Sequence, residues 1–264
     1  MKYIVDNDLH IHSCLSECSS DPEQNNERIL QYALDNGIKT LCLTDHFWDE
    51  TMKGASVWYE PQNYAHISHA LPLPQHENVR FLFGCETELN SDLVVGVSKE
   101  RYEKFDFVVV PTTHFHMKGY TITNEEGRDE EALARTWEKR LEAVLSMDIP
   151  FKKTGLAHLT CGLIAPERSM YLRVLELLDE SEMHRLFVKA ANVGVGIELN
   201  SSDMGYKDHE RDYVLRPYRI AKEHGCKFYL GSDAHHPAGL DAAKERFLRG
   251  IEDLGLTEDD KFII

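Results

Sequence analysis

Seven short apolar runs alternate with segments of helical periodicity, and this alternation constrains the fold more than any other feature of the chain. The runs are KYIVD, KTLCLTDH, VRFLFGCETEL, FDFVVVPTTHFH, KKTGLAHL, GVGIELNSS and CKFYLGSDAHH. Strands separated by helices pair in parallel, and the unbroken apolar stretch of FDFVVV is that of a strand covered on both faces. Helices are expected over DPEQNNERILQYALDNGI, which opens on Asp-Pro and stops at Gly37, over DEEALARTWEKRLEAVLSM, and over MYLRVLELLDESEMHRLFVKAANV as one element. Two more are expected over YVLRPYRIAKEHG, ended by Gly225, and LDAAKERFLRGIEDLG. So many units in 264 residues exceed a small doubly wound sheet. The expectation is an α/β protein with a distorted seven-stranded (β/α)7 barrel, residues 1–264 forming one domain. The stretch Phe47–Asn78 is polar and aromatic, is broken by Pro61, Pro72 and Pro74, and has room for one short helix around NYAHISHAL. Excursions of that length serve a site or cover one.

In a barrel the functional groups stand at the C-terminal strand ends. Those ends carry Asp8, His10 and His12; Asp45 and His46; Glu86 and Glu88; His114 and His116; His158; Asn200; and Asp233, His235 and His236. The opposite ends read MKY, IK, NVR, YEKF and CK. Residues two apart on a strand share a face, so His10 and His12 present two imidazoles to one point, a pattern suited to first-row divalent metals. A lone His-x-His is more often a hydrogen-bonded pair, and His158 in LAHL, taken alone, is a satisfied core histidine. Recurrence of the same residue types at one end of successive strands is what points to a metal centre. His66, His69, His76, His184, His209 and His224 do not share the placement and are read as surface or packing residues.

The 45 acidic against 29 basic residues, a formal charge of -16, disfavour duplex nucleic acid and anionic membranes as partners. A small anionic substrate remains compatible, because bound cations reverse the potential locally. No run reaches the ~20 apolar residues of a membrane span. The start MKYIVDND lacks the apolar region of a secretory signal, and the six cysteines form no Cys-x-x-Cys pair, so a cytoplasmic protein with reduced thiols is expected.

With DLHIHS, LTDH, GCETEL, PTTHFH, LAHL and GSDAH in order, the chain resembles the PHP family, named for polymerase and histidinol phosphatase. The resemblance implies a distorted seven-stranded barrel holding two or three divalent ions, zinc, iron or manganese, and hydrolysing phosphate esters with a metal-activated hydroxide. It implies that His10, His12, Glu86 and Asp233 bind one ion, with Glu86 bridging to a second held by His114 and His158. A third would be held by His46, His235 and Glu17, with Cys18 as the alternative; an oxygen donor suits an ion that must release its product. Asp8 and Asp45 are candidates for serving the leaving oxygen. Asn200, Lys118, Arg168 and Arg216 are candidates for holding phosphate, although a single Arg or Lys is usually a solvated surface group.

The expected activity is hydrolysis of a phosphate monoester of a small metabolite, with histidinol phosphate first. The same resemblance allows a phosphodiesterase or nuclease on short oligonucleotides, a protein-tyrosine phosphatase, or a metal-binding regulatory protein whose activity has lapsed. An amidohydrolase is disfavoured, since the fourth strand end carries PTTHFH and no lysine to bridge the ions.

Overall fold

The computed structural model describes residues 1–264. Its elements are β1 (Asn7–Ile11), α1 (Asn26–Asn36), β2 (Thr40–Leu43), α2 (Tyr64–Ile67), β3 (Arg80–Phe83), β4 (Cys85–Glu86), α3 (Lys99–Tyr102) and β5 (Val108–Pro111). They continue as α4 (Glu130–Leu145), β6 (Thr154–Ala157), α5 (Arg168–Leu177), α6 (Glu180–Val193), β7 (Gly196–Asn200), α7 (Arg211–Glu223), β8 (Lys227–Gly231) and α8 (Pro237–Leu254).

All strand pairs are parallel, in two sheets of order β1-β2-β3 and β4-β5-β6-β7-β8. The expected third strand is therefore two, and the break falls at Gly84. Its N–H donates to Leu43 O on β2 (2.8 Å), whereas the next residue, Cys85, donates to Phe107 O (3.2 Å), so the chain changes partners there. A Cβ at position 84 would stand 2.3 Å from Phe107 O, a separation no side chain tolerates. Strand β1 lies beside the end of β8 without a regular ladder. The contacts are Asp233 N–H to His10 O (2.7 Å), His12 N–H to Ala234 O (3.1 Å) and a single bridge between Ile11 and Ala234. The eight strands thus form two parallel sheets, linked by single bridges, His46 to Glu86 at one seam and Ile11 to Ala234 at the other, with no continuous ladder at either.

The first strand also begins later than KYIVD suggests. Residues 2–6 are tied to the C-terminal segment: Lys2 bridges Thr257, Tyr3 Oη donates to Phe228 O (2.9 Å), and Ile4 N–H donates to Glu258 Oε1 (2.6 Å). The long helix expected around residues 170–193 is broken at Leu178, after which Asp179 caps α6 by accepting from Glu182 N–H (3.0 Å). Helix α1 starts where Asn25 accepts from Arg28 N–H (3.0 Å), and it ends at Gly37, whose φ of 72° is the left-handed turn that favours glycine.

The main core packs the helices on the outer strand faces. A smaller apolar layer lies between the strands, built from Leu9, Cys42, Leu82, Phe107, Val109, Ala157 and Tyr229 and closed by Phe262. The polar cluster described next sits at the C-terminal strand ends.

Candidate metal centre

Three overlapping groups of side chains bring their nitrogen and oxygen atoms within 4.8 Å of one another: His12, His46 and His235; His10, His12, Glu86 and Asp233; and Glu86, His114 and His158. His12 belongs to two groups, and so does Glu86. The residues come from positions 10 to 235, and they meet because parallel strands carry their C-terminal ends to one side. Two of them sit on left-handed backbone, His158 with φ 31° and Asp233 with φ 52°. Such conformations in non-glycine residues cost about 1–3 kcal/mol each and concentrate at functional sites.

Glu86 is the hub. Its Oε2 lies 3.0 Å from His46 Nδ1 and 3.2 Å from His12 Nε2, and its Oε1 lies 3.4 Å from His158 Nε2. Asp233 Oδ1 stands 3.3 Å from His12 Nε2 and 3.5 Å from His10 Nε2. Burial works against ionising Glu86, but His46 and His10 hold its carboxyl well below the usual range. Asp233 is likewise lowered, burial being outweighed by His10 and His12.

Five of the six histidines, all but His46, are aimed by a group behind them. His10 Nδ1 is 2.7 Å from Glu198 Oε1, His114 Nδ1 is 2.7 Å from Glu88 Oε2, His158 Nδ1 is 3.0 Å from Thr113 Oγ1, and His235 Nδ1 is 2.8 Å from Asp233 O. His12 Nδ1 is 2.9 Å from Ser16 Oγ, which donates in turn to Asp45 Oδ1 (2.7 Å). Engaging the remote nitrogen leaves the other facing the cluster, as in protein metal sites generally.

The donor set fits divalent cations on its own chemistry. The Nε2 atoms of His10 and His12 face each other at 3.1 Å, with two carboxylates in reach and both imidazoles fully buried. Convergent imidazole and carboxylate donors of this kind suit zinc, iron or manganese. Burial opposes protonation of His10 and His158, yet Glu198, Asp233 and Glu86 around His10, and Cys161 and Glu86 around His158, raise both well above the imidazole value. Burial and the neighbouring histidines lower His114 and His235 to about 3. Protons held on His10 and His158 at pH 7 must leave when a cation enters. Adding zinc or manganese to chelator-treated protein at pH 7 is therefore expected to release protons, and affinity is expected to rise with pH. Buffer-dependent titration calorimetry measures both.

An open cavity of about 530 Å³ lies over the cluster and is lined by Glu86, Asp233, His46, His114 and His235 together with Cys18, Trp58, Tyr59, His116, Met117 and Leu163. Trp58 and Tyr59 come from the Phe47–Asn78 excursion, so that segment does cover the site. Glu17 is not brought there: its side chain is exposed, its N–H donates to Gln62 Oε1 (3.0 Å), and the turn presents Cys18 to the cavity in its place.

Asp8, Asp45 and Asn200 do not line the cavity either. The register of β1 shifts between Asp8 and Ile11, and such an irregularity resets which face a side chain meets. Asp8 accepts from Tyr32 Oη (3.1 Å) and Ser232 N–H (2.9 Å). Asp45 is committed to Ser13 N–H, Ser13 Oγ and Ser16 Oγ, each at 2.7 Å. Asn200 Nδ2 donates to Glu198 Oε2 (3.2 Å) and Asp233 Oδ2 (3.3 Å).

The cations expected to hold phosphate also lie elsewhere. Arg168 pairs with Glu210 (2.7 Å), Arg216 donates to Leu175 O in α5 and Leu178 O just after it (2.6 and 2.9 Å), and Lys118 donates to Gly127 O (3.1 Å). Among the histidines read as packing residues, His66 Nε2 is 2.7 Å from Leu15 O, and His184 and His224 pair at 2.7 Å.

Glu198 is the functional residue that the sequence reading missed. It sits two positions before Asn200 in GIELN, on the same strand face, and that parity is the only signal available in one dimension. Glu198→Gln is expected to weaken metal binding by about 10–100-fold through the orientation of His10, measurable by competition with a chromogenic chelator.

The PHP domain model matches residues 8–202, and the chain belongs to that family. Among solved structures, the fold is similar to that of histidinol phosphate phosphatase from Lactococcus lactis subsp. lactis Il1403, complexed with zinc, L-histidinol and phosphate. The TM-score is 0.62 at 15% identity, covering 98% of this chain and 99% of the other. A comparison with curated proteins returns no significant sequence match.

Proposed function

We propose that the protein is a metal-dependent phosphomonoesterase acting on a small phosphorylated metabolite. The observation that carries this reading is the set of three ligand groups sharing His12 and Glu86 on the floor of one cavity. His10, His12, Glu86 and Asp233, then Glu86, His114 and His158, then His12, His46 and His235 would hold two or three divalent ions, with Cys18 and not Glu17 lining the same cavity. Such ions supply Lewis-acid polarisation of phosphoryl oxygens and acidify a bound water. In this reading the two sheets act as one distorted barrel whose strand ends share a mouth.

The chain's own residues set the conditions for the reaction. Glu198, Glu88, Thr113 and the Ser16–Asp45 pair aim the imidazoles, which makes Asp45 a positioning residue; Asn200 has the same role toward Asp233, and Asp8 fastens β1 to the end of β8. His116 lines the cavity; partial desolvation there and the neighbouring His114 lower it to about 4, so it is a neutral imidazole at pH 7 and offers a hydrogen bond to substrate. In the reaction a water oxygen bonds to phosphorus as the ester P–O bond breaks, and one proton of that water ends on the leaving alcohol oxygen. No helix is long and apolar enough to cross a membrane. Six cysteines without a disulfide fit a reducing compartment, and we place the enzyme in the cytoplasm.

The test is a screen of phosphorylated metabolites, histidinol phosphate included, alongside a chromogenic monoester, with metal measured on the same sample. Phosphate release that disappears in His10→Ala and Asp233→Asn supports the reading. No release from any ester after supplementation with manganese or zinc overturns it.

A further inference from the structure

The floor and the wall of the cavity differ in chemistry, and the wall reports on the alcohol half of the ester. At about 530 Å³ the cavity is within the range of sites that enclose a whole small molecule. No lysine or arginine lines it, and its two carboxylates, Glu86 and Asp233, have their oxygens engaged by histidines and Asn200. No acidic or basic side chain there is free to pair with an ammonium or a carboxylate on the leaving group, and an unpaired charge against an apolar surface is disfavoured.

The wall comes from three separate strand-end segments: Trp58 after β2, Met117 after β5 and Leu163 after β6. Trp58 is 38% and Leu163 42% exposed, large apolar surface left at the mouth of a polar site. Trp58 is fixed edge-on by the His46 ring at 5.0 Å and the Tyr59 ring at 4.8 Å. Beyond Leu163 and His116 a second cavity of about 400 Å³ shares both residues and is lined by Phe115, Ile164 and Met170. Its cations are already engaged, Lys118 by Gly127 O (3.1 Å) and Arg128 by Asp129 (2.7 Å).

We infer that the enzyme selects phosphomonoesters of neutral, apolar alcohols, aromatic or branched aliphatic, whose body lies against Trp58, Met117 and Leu163. The inference rests on the phosphomonoesterase reading and narrows it. Histidinol phosphate, whose leaving group carries an ammonium, then ranks below a neutral ester of similar size.

The test compares n-butyl phosphate with 3-aminopropyl phosphate, near-isosteric esters that differ in one terminal charge, on the metal-loaded protein. The expected kcat/KM ratio is about 10-fold or more in favour of butyl, with 2-phenylethyl phosphate better still. Trp58→Ala and Leu163→Ser are expected to bring the ratio toward one, mainly through KM. The corresponding phosphonates are titrated by tryptophan fluorescence, which reports on the site because Trp58 is exposed while Trp48 and Trp137 are buried. Turnover of both esters at similar rates, or a preference for the aminopropyl ester, overturns the inference and leaves the phosphatase reading intact. If neither ester is turned over but butylphosphonate binds more tightly than the aminopropyl analogue, the recognition stands and the reaction assigned to the site falls. Equal binding of the two phosphonates overturns the inference in either case.

Discussion

Glu86→Gln is expected to lower phosphate release by roughly 10³-fold, the upper range for removing one electrostatic stabiliser from an active site. Glu86 is the only carboxylate common to two ligand groups, and its two oxygens reach His46, His12 and His158. A glutamine has nearly the same shape but no charge, so the loss reports on the shared anion and not on packing. Metal content should fall in parallel. Circular dichroism of the chelator-treated variant should match the parent, since no apolar contact is removed. Full activity in Glu86→Gln would mean that the hub is not part of the chemistry.

Arg140→Met is expected to destabilise the fold by about 3–5 kcal/mol, because it leaves three buried carbonyl oxygens without their donor at about 1–3 kcal/mol each, and to lower Tm by about 10 °C. Arg140 on α4 is 1% exposed. Its guanidinium donates to Thr112 O (2.8 Å), Leu89 O (2.7 Å) and Thr121 O, and it stands 3.6 Å from Glu88 Oε1. It therefore clamps the segments that follow β4 and β5, and Glu88 in turn holds His114. Burial pushes the Glu88 carboxyl up to about 8 even with the Arg140 cation beside it; above that pH, without the cation, an ionised Glu88 would have no counter-charge from the helix layer. Above about pH 8, adding Glu88→Gln to Arg140→Met should recover part of the stability, a coupling that a double-mutant cycle in thermal melts at that pH measures. Additive losses would show that Arg140 acts only through its carbonyl contacts.

The contrast between these two residues shows what was legible in the sequence. Glu86 could be found because it follows an apolar run at the same kind of position as Asp45, His114 and Asp233, and parallel pairing turns that one-dimensional placement into proximity. Arg140 could not, because an arginine on an amphipathic helix reads as a solvated group until the carbonyls of Thr112, Thr121 and Leu89 are seen to surround it. The same limit explains the break at Gly84, which depends on the approach of Phe107 O from a strand more than twenty residues away. KYIVD reads as the first strand because Tyr3 and Val5 alternate like strand residues, while the hydrogen-bond partners of that segment lie at the other end of the chain, near Thr257 and Glu258. Between Glu17 and Cys18 the residue type favoured the carboxylate, but a turn fixed by Gln62 decides which of the two faces the cavity.

The most direct measurement is the equilibrium stoichiometry of divalent metal, determined by mass spectrometry on protein dialysed against zinc or manganese and then against metal-free buffer, with the His10→Ala variant alongside. Three overlapping ligand groups call for about two to three ions per chain, reduced in the variant. Less than one ion per chain, or a stoichiometry unchanged by removing His10, would contradict the assignment of this cluster as the metal centre and the hydrolytic function built on it.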